Sequence, residues 1–338
     1  MIDYPPRLDL ARLPTPLTRL ERLSAEFPGV DIWVKHDEMT GVEVSGNKVR
    51  KLEFILAEAL ARDCDTVITC GGVQSNHCRA TAVLAARLGL RAHLLLRGER
   101  PPELSGNLML DHLSGAGITY ISQTDWHTHE EYGRELLREY ERKGRRAMFI
   151  PIGGSDAIGL WGYIAACEEL REDFERTGIE PDAIVAATGS GGTQSGLLVG
   201  RELFGLGARV LAFNVCDDAA WFEQKVRRDV AAWSERYGIG FDAENLAVDT
   251  IEGYMGPAYG VAGPEVYRTI AETARQEGVF LDPVYTGKAF NGMLSELRKG
   301  ESGCLAGAGT VVFVHTGGLF GVFPHQRQFD FSQDSEHE

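Results

Sequence analysis

Lys48 is the residue whose type and position best fit nucleophilic chemistry. It follows Gly46-Asn47, a pair that favours a turn or a helix cap. It also begins a run to about Arg62 that contains no Gly or Pro and is rich in helix-forming residues. A lysine at the start of such a helix, half shielded by the core, loses hydration, which lowers its pKa and frees its amine to attack an aldehyde. The alternative is an ordinary solvated lysine, so the assignment depends on the rest of the chain.

Three glycine-rich turns each follow a predicted buried strand; they span residues 71–76, 188–196 and 315–321. Since ligands in open α/β sheets bind beyond the carboxyl ends of strands, all three turns should face one crevice. In the middle turn, Gly189, Gly191 and Gly192 let an anion approach the backbone, and the next helix offers unpaired N–H groups. Ser190 and Thr193 add hydroxyl donors. The alternative is a tight turn without a ligand.

Nucleotide-binding loops do not fit the middle turn. The dinucleotide pattern G-x-G-x-x-G fails because Gln194 stands where the third glycine belongs, and no G-x-x-x-x-G-K-[ST] motif occurs. A reactive amine, a separate phosphate cradle and a second helix-start anion site instead suit pyridoxal phosphate. The aldehyde of that cofactor needs an amine, and its phosphate needs a cradle.

Regular alternation of strand and helix patterns predicts the elements that position these residues. The chain is expected to be an α/β protein of two domains, with open parallel sheets covered by helices on both faces. Residues up to Pro28 and between Tyr237 and Pro264 are expected to be irregular, and the acidic tail beyond Phe329 to fray. The predicted strands are 31–35, 66–70, 91–96, 118–122, 147–152, 183–187, 210–215 and 310–315. The predicted helices are 48–62, 77–88, 108–115, 130–143, 161–175, 193–204, 219–237, 264–277 and 287–299.

Composition excludes several classes of function. The 338 residues carry a net charge of −15, which argues against nucleic-acid and anionic-membrane partners. No apolar run is long enough to span a bilayer, and the first residues do not resemble a signal peptide. Six scattered cysteines without a C-x-x-C pair indicate reduced thiols in a cytoplasm. His127 and His129 lack a third ligand at useful spacing, so they are interpreted as exposed residues and no metal site is expected.

The chain resembles the pyridoxal-phosphate-dependent family that contains D-cysteine desulfhydrases and 1-aminocyclopropane-1-carboxylate deaminases. The resemblance extends from Leu13 to Gly318 and rests on four motifs: residues 46–53 (GNKVRKLE), 74–77 (QSNH), 189–194 (GSGGTQ) and 281–288 (LDPVYTGK). It implies a tryptophan-synthase-β-like fold, a small amino-acid substrate and a homodimer. It also implies a larger domain of residues 1–52 and 153–338, with a smaller α/β domain, 53–152, inserted in it.

The resemblance implies a role for each matching residue. Lys48 would be the cofactor lysine and the base that removes the α-proton, and Lys51 would approach the phosphate held by residues 189–193. Ser75, Asn76 and His77 would bind the substrate carboxylate, with Asn76 also reaching the ring oxygen of the cofactor. Two tyrosines would line the substrate side, Tyr259 and Tyr285; each alone could equally be a core aromatic.

Two threonines bear on the choice of reaction. Where the deaminases have Glu and Leu, this chain has Thr286 and Thr316. A carboxylate near the pyridine nitrogen makes the ring a strong electron sink, which the cyclopropane substrate needs because it has no α-hydrogen. Threonines, together with His77, favour α,β-elimination from D-cysteine to pyruvate, ammonia and hydrogen sulfide. The alternatives are 1-aminocyclopropane-1-carboxylate deamination, a lyase for L-cysteate or another β-substituted amino acid, and a non-catalytic small-anion binding module. Lys48 weighs against the binding module, which would not need an amine.

Overall fold

A computed structural model describes residues 2–331 of the chain, so the last seven residues of the tail expected to fray lie outside the described part. The strands, in chain order, are β1 Leu17–Arg19, β2 Asp31–Lys35, β3 Thr66–Gly72, β4 Arg91–Arg97, β5 Gly117–Ile121, β6 Ala147–Ile150, β7 Ala183–Thr188, β8 Arg209–Asn214, β9 Asp249–Ile251 and β10 Thr310–Val314. The helices are α1 Glu21–Ala25, α2 Asn47–Ala61, α3 Asn76–Arg87, α4 Gly106–Leu113, α5 His129–Arg142, α6 Trp161–Thr177, α7 Gly192–Phe204, α8 Ala219–Tyr237, α9 Pro264–Glu277 and α10 Thr286–Arg298.

The strands form two sheets, and the predicted parallel α/β architecture is confirmed. One sheet has the order β1-β2-β10-β7-β8-β9 and the other the order β5-β4-β3-β6. Neighbouring strands are parallel in both sheets except for β1, which pairs antiparallel with β2 at an edge. Parallel strands place all their carboxyl ends at one edge of a sheet, where the three glycine turns lie.

Three short elements were not predicted. β1 and α1 lie in the segment expected to be irregular, and β9 lies between Tyr237 and Pro264. Strands of three residues at a sheet edge, like β1 and β9, are too short to show an alternating pattern, and their pairing depends on partners far along the chain. Pro14 and Pro16 lie just before β1, and prolines in a sequence argue against a regular strand.

The central strand β7 of the larger sheet is buried on both faces. On β7, Ile184 and Ala186 belong to one apolar cluster, whereas Val185 and its alternate neighbours belong to another on the opposite side. A parallel sheet covered by helices on both faces requires such continuous apolar runs, which explains why strands of this kind can be predicted from the sequence. Within residues 2–331, none of the helices combines the length and apolar character needed to cross a bilayer.

The smaller sheet consists of β3 to β6, which lie between Thr66 and Ile150. The predicted boundary between the two domains, at residues 52 and 53, falls inside α2. On this helix the ring centroid of Phe54 lies 6.5 Å from that of Trp161 on α6. The inserted domain of residues 53–152 stays a prediction.

Candidate active site

A cavity of about 660 Å³ lies where the glycine turns meet. The end of β3 and the start of α3, with the turn between them, contribute residues 71, 72 and 75–77 to its wall. The end of β7, the turn after it and the start of α7 contribute 188–191 and 193, and the turn after β10 contributes Thr316. The predicted common crevice is therefore confirmed. Lys48 lines the same cavity, as do Tyr259 and Tyr285.

Lys48 reaches the cavity from the first turn of α2. The turn before it requires glycine, because Gly46 has φ +113° and a Cβ there would lie 2.5 Å from the Thr316 carbonyl oxygen. The Lys48 Nζ donates a hydrogen bond to the Gly153 carbonyl at 3.3 Å. Burial lowers the pKa of the Lys48 amine to about 8, as the sequence predicts. A substantial fraction of this amine is therefore neutral near physiological pH.

The first prediction concerns the pH dependence of covalent cofactor attachment. Only the neutral amine attacks an aldehyde, and below a pKa of about 8 its fraction falls about tenfold per pH unit. The rate at which cofactor-free protein acquires the visible absorption band should therefore rise about tenfold between about pH 6 and about pH 7, and level off above about pH 8. A rate that keeps rising to about pH 10, as for an ordinary lysine, would contradict the lowered pKa.

Lys51 lies one turn along α2 and is fully buried. Its Nζ donates to the same Gly153 carbonyl at 3.4 Å and to Ser155 Oγ at 3.3 Å. Burial, followed by the charges of Lys48 and Lys225, lowers the Lys51 pKa well below its usual value. Of these amines only Lys225 has an acidic partner in an ion pair among residues 2–331, namely Asp229. This local excess of basic groups favours binding of an anion.

The turn after β7 has the form of an anion cradle. Gly191 has φ +82°, and a Cβ added at Gly192 would collide with Ser155 Oγ and lie 2.8 Å from Lys51 Nζ. Gly192 begins α7, so the first N–H groups of that helix point towards the turn. The adjacent Thr193 Oγ1 accepts a hydrogen bond from Asn47 Nδ2 at 3.0 Å. These residues fit the phosphate of pyridoxal phosphate, although Lys51 and Gly192 lie behind the cavity wall and do not line it.

The second prediction is that Gly192→Val weakens cofactor binding by about tenfold or more. A branched side chain at residue 192 would displace Ser155 and Lys51 and occupy space close to the anion. Equilibrium dialysis of the cofactor, with circular dichroism to verify the fold, measures the effect. Gly207→Val is the matched control, because Gly207 is exposed and nothing lies within 4 Å of its Cβ position. Unchanged cofactor retention by Gly192→Val would mean that the phosphate binds elsewhere.

Ser75, Asn76 and His77 are brought together at the start of α3. Ser75 caps the helix, its Oγ accepting from Cys78 N at 3.1 Å. The first backbone N–H groups of α3 therefore face the cavity as a site for a carboxylate. His77 also lines the cavity, but its side chain is 2% exposed and its Nε2 contacts Thr69 Oγ1 of β3.

The orientation of His77 follows from one hydrogen bond. Thr69 Oγ1 donates to the Ile150 carbonyl at 2.9 Å, so at its 2.8 Å contact with His77 Nε2 the imidazole is the donor. Burial, reinforced by the charges of two lysines, holds the His77 pKa well below its usual value. The imidazole is therefore neutral, and it joins α3 to β3. Its contact with a substrate carboxylate stays a prediction.

Tyr259 and Tyr285 form a pair in the cavity wall. Their Oη atoms are 2.5 Å apart, and the rings meet edge to face. Burial raises the pKa of Tyr259 to about 12 and that of Tyr285 well above its usual value. Both phenols are thus neutral at physiological pH, so the pair can donate a proton. Tyr285 also packs against the turn after β7, since a Cβ on Gly189 would lie 3.1 Å from its Cε1.

Thr286 and Thr316 occupy different surroundings. Thr316 lines the cavity, whereas Thr286 is fully buried and does not. The Thr286 hydroxyl donates to Asp282 Oδ1 at 2.7 Å and accepts from Asp282 N at 2.8 Å. The expected cofactor contact of Thr286 therefore stays a prediction that no contact in the structure supports.

Several residues of the site were missed in the sequence. Arg97 and Trp126 line the cavity, and Gly153 and Ser155 contact the lysine amines. Arg97 ends β4 beside Gly72 of β3, so the rule for strand carboxyl ends could have identified it. His127 is exposed as predicted, but His129 is half-buried and stacks on Trp126 with ring centroids 4.7 Å apart.

A buried charge cluster anchors α2 and thereby Lys48. The Arg50 guanidinium binds both Asp37 oxygens at 2.7 and 2.9 Å and both Glu169 oxygens at 2.9 and 3.0 Å. Lys35 Nζ lies 2.5 Å from Glu169, and the Tyr163 hydroxyl donates to Asp37 at 2.6 Å. Burial opposes ionisation of Arg50, but its carboxylate partners outweigh burial and raise its pKa well above the usual value. The cluster ties α2 to α6 and to β2.

Comparisons with known proteins show the family to which the chain belongs. Residues 8–317 match the family model described as pyridoxal-phosphate dependent enzyme. A bifunctional D-cysteine desulfhydrase/1-aminocyclopropane-1-carboxylate deaminase, mitochondrial, from Arabidopsis thaliana is 40% identical over 93% of this chain and 78% of its own length. A putative 1-aminocyclopropane-1-carboxylate deaminase from Thermotoga maritima is 40% identical over 95% of this chain and 99% of its own. The crystal structure of an ACC deaminase homologue has a TM-score of 0.87 at 36% identity, covering 96% of this chain and 95% of that one.

Proposed function

This chain belongs to the family of pyridoxal-phosphate-dependent enzymes, with the tryptophan-synthase-β-like fold, and we propose that it catalyses α,β-elimination from D-cysteine. The observation that carries the proposal is the position of the Lys48 amine. It has a lowered pKa, lies beside an anion cradle and shares one cavity with two neutral phenols. A lysine amine that can react with an aldehyde, a phosphate site and a proton donor for a leaving group are the groups that this elimination requires.

The chain would hold its cofactor at two ends of the cavity. Residues 189–193 and the start of α7 bind the phosphate, with Lys51 supplying charge from behind the turn. Lys48 forms the covalent link. When bound, pyridoxal phosphate supplies an electron sink for the charge left on the α-carbon. The neutral Thr316 in the wall supports elimination over ring opening, as argued from the sequence.

The substrate would be oriented by its carboxylate. The backbone N–H groups at the start of α3 and the Ser75 hydroxyl donate to that group, which fixes the α-carbon relative to Lys48. The Lys48 amine then accepts the α-proton, for which a pKa of about 8 is well matched. Asn76 lies beside Ser75 in the wall and offers its amide to the ring oxygen of the cofactor.

Tyr285 and Tyr259 would assist departure of the sulfur. The electron pair left on the α-carbon forms a double bond to the β-carbon, and the bond between the β-carbon and sulfur breaks with its pair on sulfur. One phenol of the pair supplies the proton that gives hydrogen sulfide. Since the two hydroxyls are hydrogen-bonded, the phenol that keeps its proton stabilises the phenolate formed on the other. The enamine that is released isomerises to an imine, and water adds to the imine carbon as ammonia leaves, which gives pyruvate.

The third prediction is that purified enzyme releases sulfide and pyruvate from D-cysteine at least about tenfold faster than it forms 2-oxobutanoate from 1-aminocyclopropane-1-carboxylate. The panel for this assay includes L-cysteine and L-cysteate, because chirality and β-substituent are the variables in question. Faster turnover of the cyclopropane substrate than of D-cysteine would overturn the proposal in favour of deaminase activity, which the names of both relatives above include.

A second candidate is a lyase for an amino acid with an anionic β-substituent, such as L-cysteate. Arg97 favours it, because this half-buried guanidinium lines the cavity and has no ion-pair partner among residues 2–331. It lies over the ring of Tyr259, 5.6 Å from the centroid, on the side proposed for the substrate. In the same panel, Arg97→Gln would lower L-cysteate turnover far more than D-cysteine turnover if this candidate holds.

We further propose that the enzyme works in the cytoplasm as a homodimer. All six cysteines lie in the described part of the chain and none forms a disulfide, which supports a reducing compartment. The homodimer rests on the resemblance to the family alone. Sedimentation analysis of the purified protein tests the oligomeric state, and fractionation of the source cells tests the compartment.

A further inference from the structure

Asn107 is a fully buried polar residue outside the cavity that contacts the site through one side chain. It lies at the start of α4, and its amide Nδ2 donates at 2.9 Å to the Gln74 carbonyl and at 2.9 Å to Asn76 Oδ1. We propose that Asn107 is a positioning residue, which fixes the amide of Asn76 so that its NH₂ group serves as a hydrogen-bond donor in the cavity. The inference rests on the proposed function, since it assigns that donor to the ring oxygen of pyridoxal phosphate.

The direction of each amide follows from one backbone group. A backbone carbonyl can only accept, so the Asn107 atom 2.9 Å from the Gln74 carbonyl must be the nitrogen. The same nitrogen is 2.9 Å from Asn76, so the Asn76 atom that it meets must be the oxygen. The NH₂ group of Asn76 therefore lies on the other branch of its amide. Reversal of either amide would oppose two donors or two acceptors.

The Asn107 side chain is held rigidly enough to impose this direction. Its backbone N–H donates to Gln74 Oε1 at 2.9 Å, and Gln74 Nε2 donates to the Ser105 carbonyl at 3.0 Å. Gly106 permits the close approach, because it has φ +57° and a Cβ there would lie 2.7 Å from Gln74 Oε1. The turn after β3 and the start of α4 are thus joined by four hydrogen bonds, of which only one reaches a residue of the cavity wall.

Asn76 offers the cavity a donor and not an acceptor. It lines the cavity, and its Nδ2 has no hydrogen-bond partner within residues 2–331. A donor at this position stabilises a charged oxygen relative to a protonated one. With the opposite amide direction, the oxygen of Asn76 would disfavour the charged ring oxygen by repulsion. Asn107 therefore sets the sign of the interaction without contacting the cofactor.

The experiment measures the protonation of the cofactor ring in holoenzyme without substrate. Cofactor with a protonated ring oxygen absorbs in the near ultraviolet, and cofactor with a charged ring oxygen absorbs in the visible. Asn107→Ala should raise the ratio of the ultraviolet to the visible band by about tenfold, the effect of losing one hydrogen bond to a charged oxygen. Asn76→Ala should raise it equally, and the double variant should show no further change, because Asn107 acts only through Asn76.

Controls separate positioning from general damage to α4. Ser114→Ala removes the Ser114 Oγ bond to the Leu110 carbonyl at the other end of the helix and should leave the ratio unchanged. If Asn107→Ala does not fold, Asn107→Ser fills part of the space and can keep only one of the two donated bonds. A ratio that changes in Asn76→Ala but in neither Asn107 variant would overturn the inference, as would no change in Asn76→Ala. Both results are measured with bound cofactor and without substrate. They therefore differ from failure of the proposed function, in which the holoenzyme forms but D-cysteine is not consumed.

Discussion

Replacing Lys48 by alanine is expected to lower the release of sulfide and pyruvate from D-cysteine by about a thousandfold or more. The variant loses both the covalent link to the cofactor and the amine that accepts the α-proton. The cradle at residues 189–193 is untouched by the change, so the variant should still bind the cofactor through its phosphate. Steady-state rates at saturating cofactor measure the loss. Borohydride reduction of the unmodified holoenzyme, followed by fragment mass analysis, locates the link.

The control for this experiment is Lys143→Ala. Lys143 is an exposed lysine that forms an i,i+4 ion pair with Glu139, so its removal should leave both turnover and the cofactor link intact. Lys48 and Lys51 donate to the same carbonyl, so the analysis must resolve two lysines only three residues apart. A cofactor mass increment on Lys51, or a Lys48→Ala enzyme with undiminished turnover, would contradict the assignment.

The parts of the site that the sequence predicts are those set by short-range patterns. The turns at 71–76 and 188–196 could be predicted because each begins where a buried apolar strand ends. Parallel topology then brings both turns to the carboxyl ends of the strands. The position of Lys48 could be predicted because a glycine turn followed by a helix-forming run places it at a helix start. Its lowered pKa followed from the same position.

What the sequence does not predict depends on partners distant in the chain. The hydrogen bond from Asn107 to Asn76 joins residues 31 positions apart in the sequence, and the bond from the Lys48 amine to the Gly153 carbonyl joins residues 105 positions apart. No local pattern in the sequence indicates either of these hydrogen bonds. The case of Thr286 is instructive, because its hydroxyl is used by Asp282 four residues earlier. This pairing shapes the start of α10, and the cofactor contact of Thr286 stays a prediction.

Arg50 has the largest expected effect on stability, because Arg50→Met leaves Asp37 and Glu169 buried without their shared cation. Breaking a buried ion pair in this way costs about 3–5 kcal/mol in the free energy of unfolding, since the remaining carboxylates stay desolvated. Denaturant unfolding of the cofactor-free protein measures it without a contribution from ligand binding. At the C-cap of the same helix, Arg62→Met removes a largely exposed ion pair with Glu58 and should cost less than about 1 kcal/mol. Equal losses in the two variants would contradict the anchoring role.

The pH dependence of stability gives the same cluster a second, independent signature. Burial alone would raise the Glu169 pKa, but Arg50 and Lys35 outweigh it and lower that pKa to about 2. A carboxyl whose folded pKa lies below its unfolded value of about 4.3 contributes stability above that value and loses it as the pH falls towards about 2. Arg50→Met should raise the folded pKa of Glu169, so the free energy of unfolding should fall less steeply across this range than in the unmodified protein. Because α2 carries both Arg50 and Lys48, the variant should also form the cofactor link more slowly at a pH where it remains folded. An unchanged acid dependence would mean that Arg50 does not hold Glu169 in its charged form.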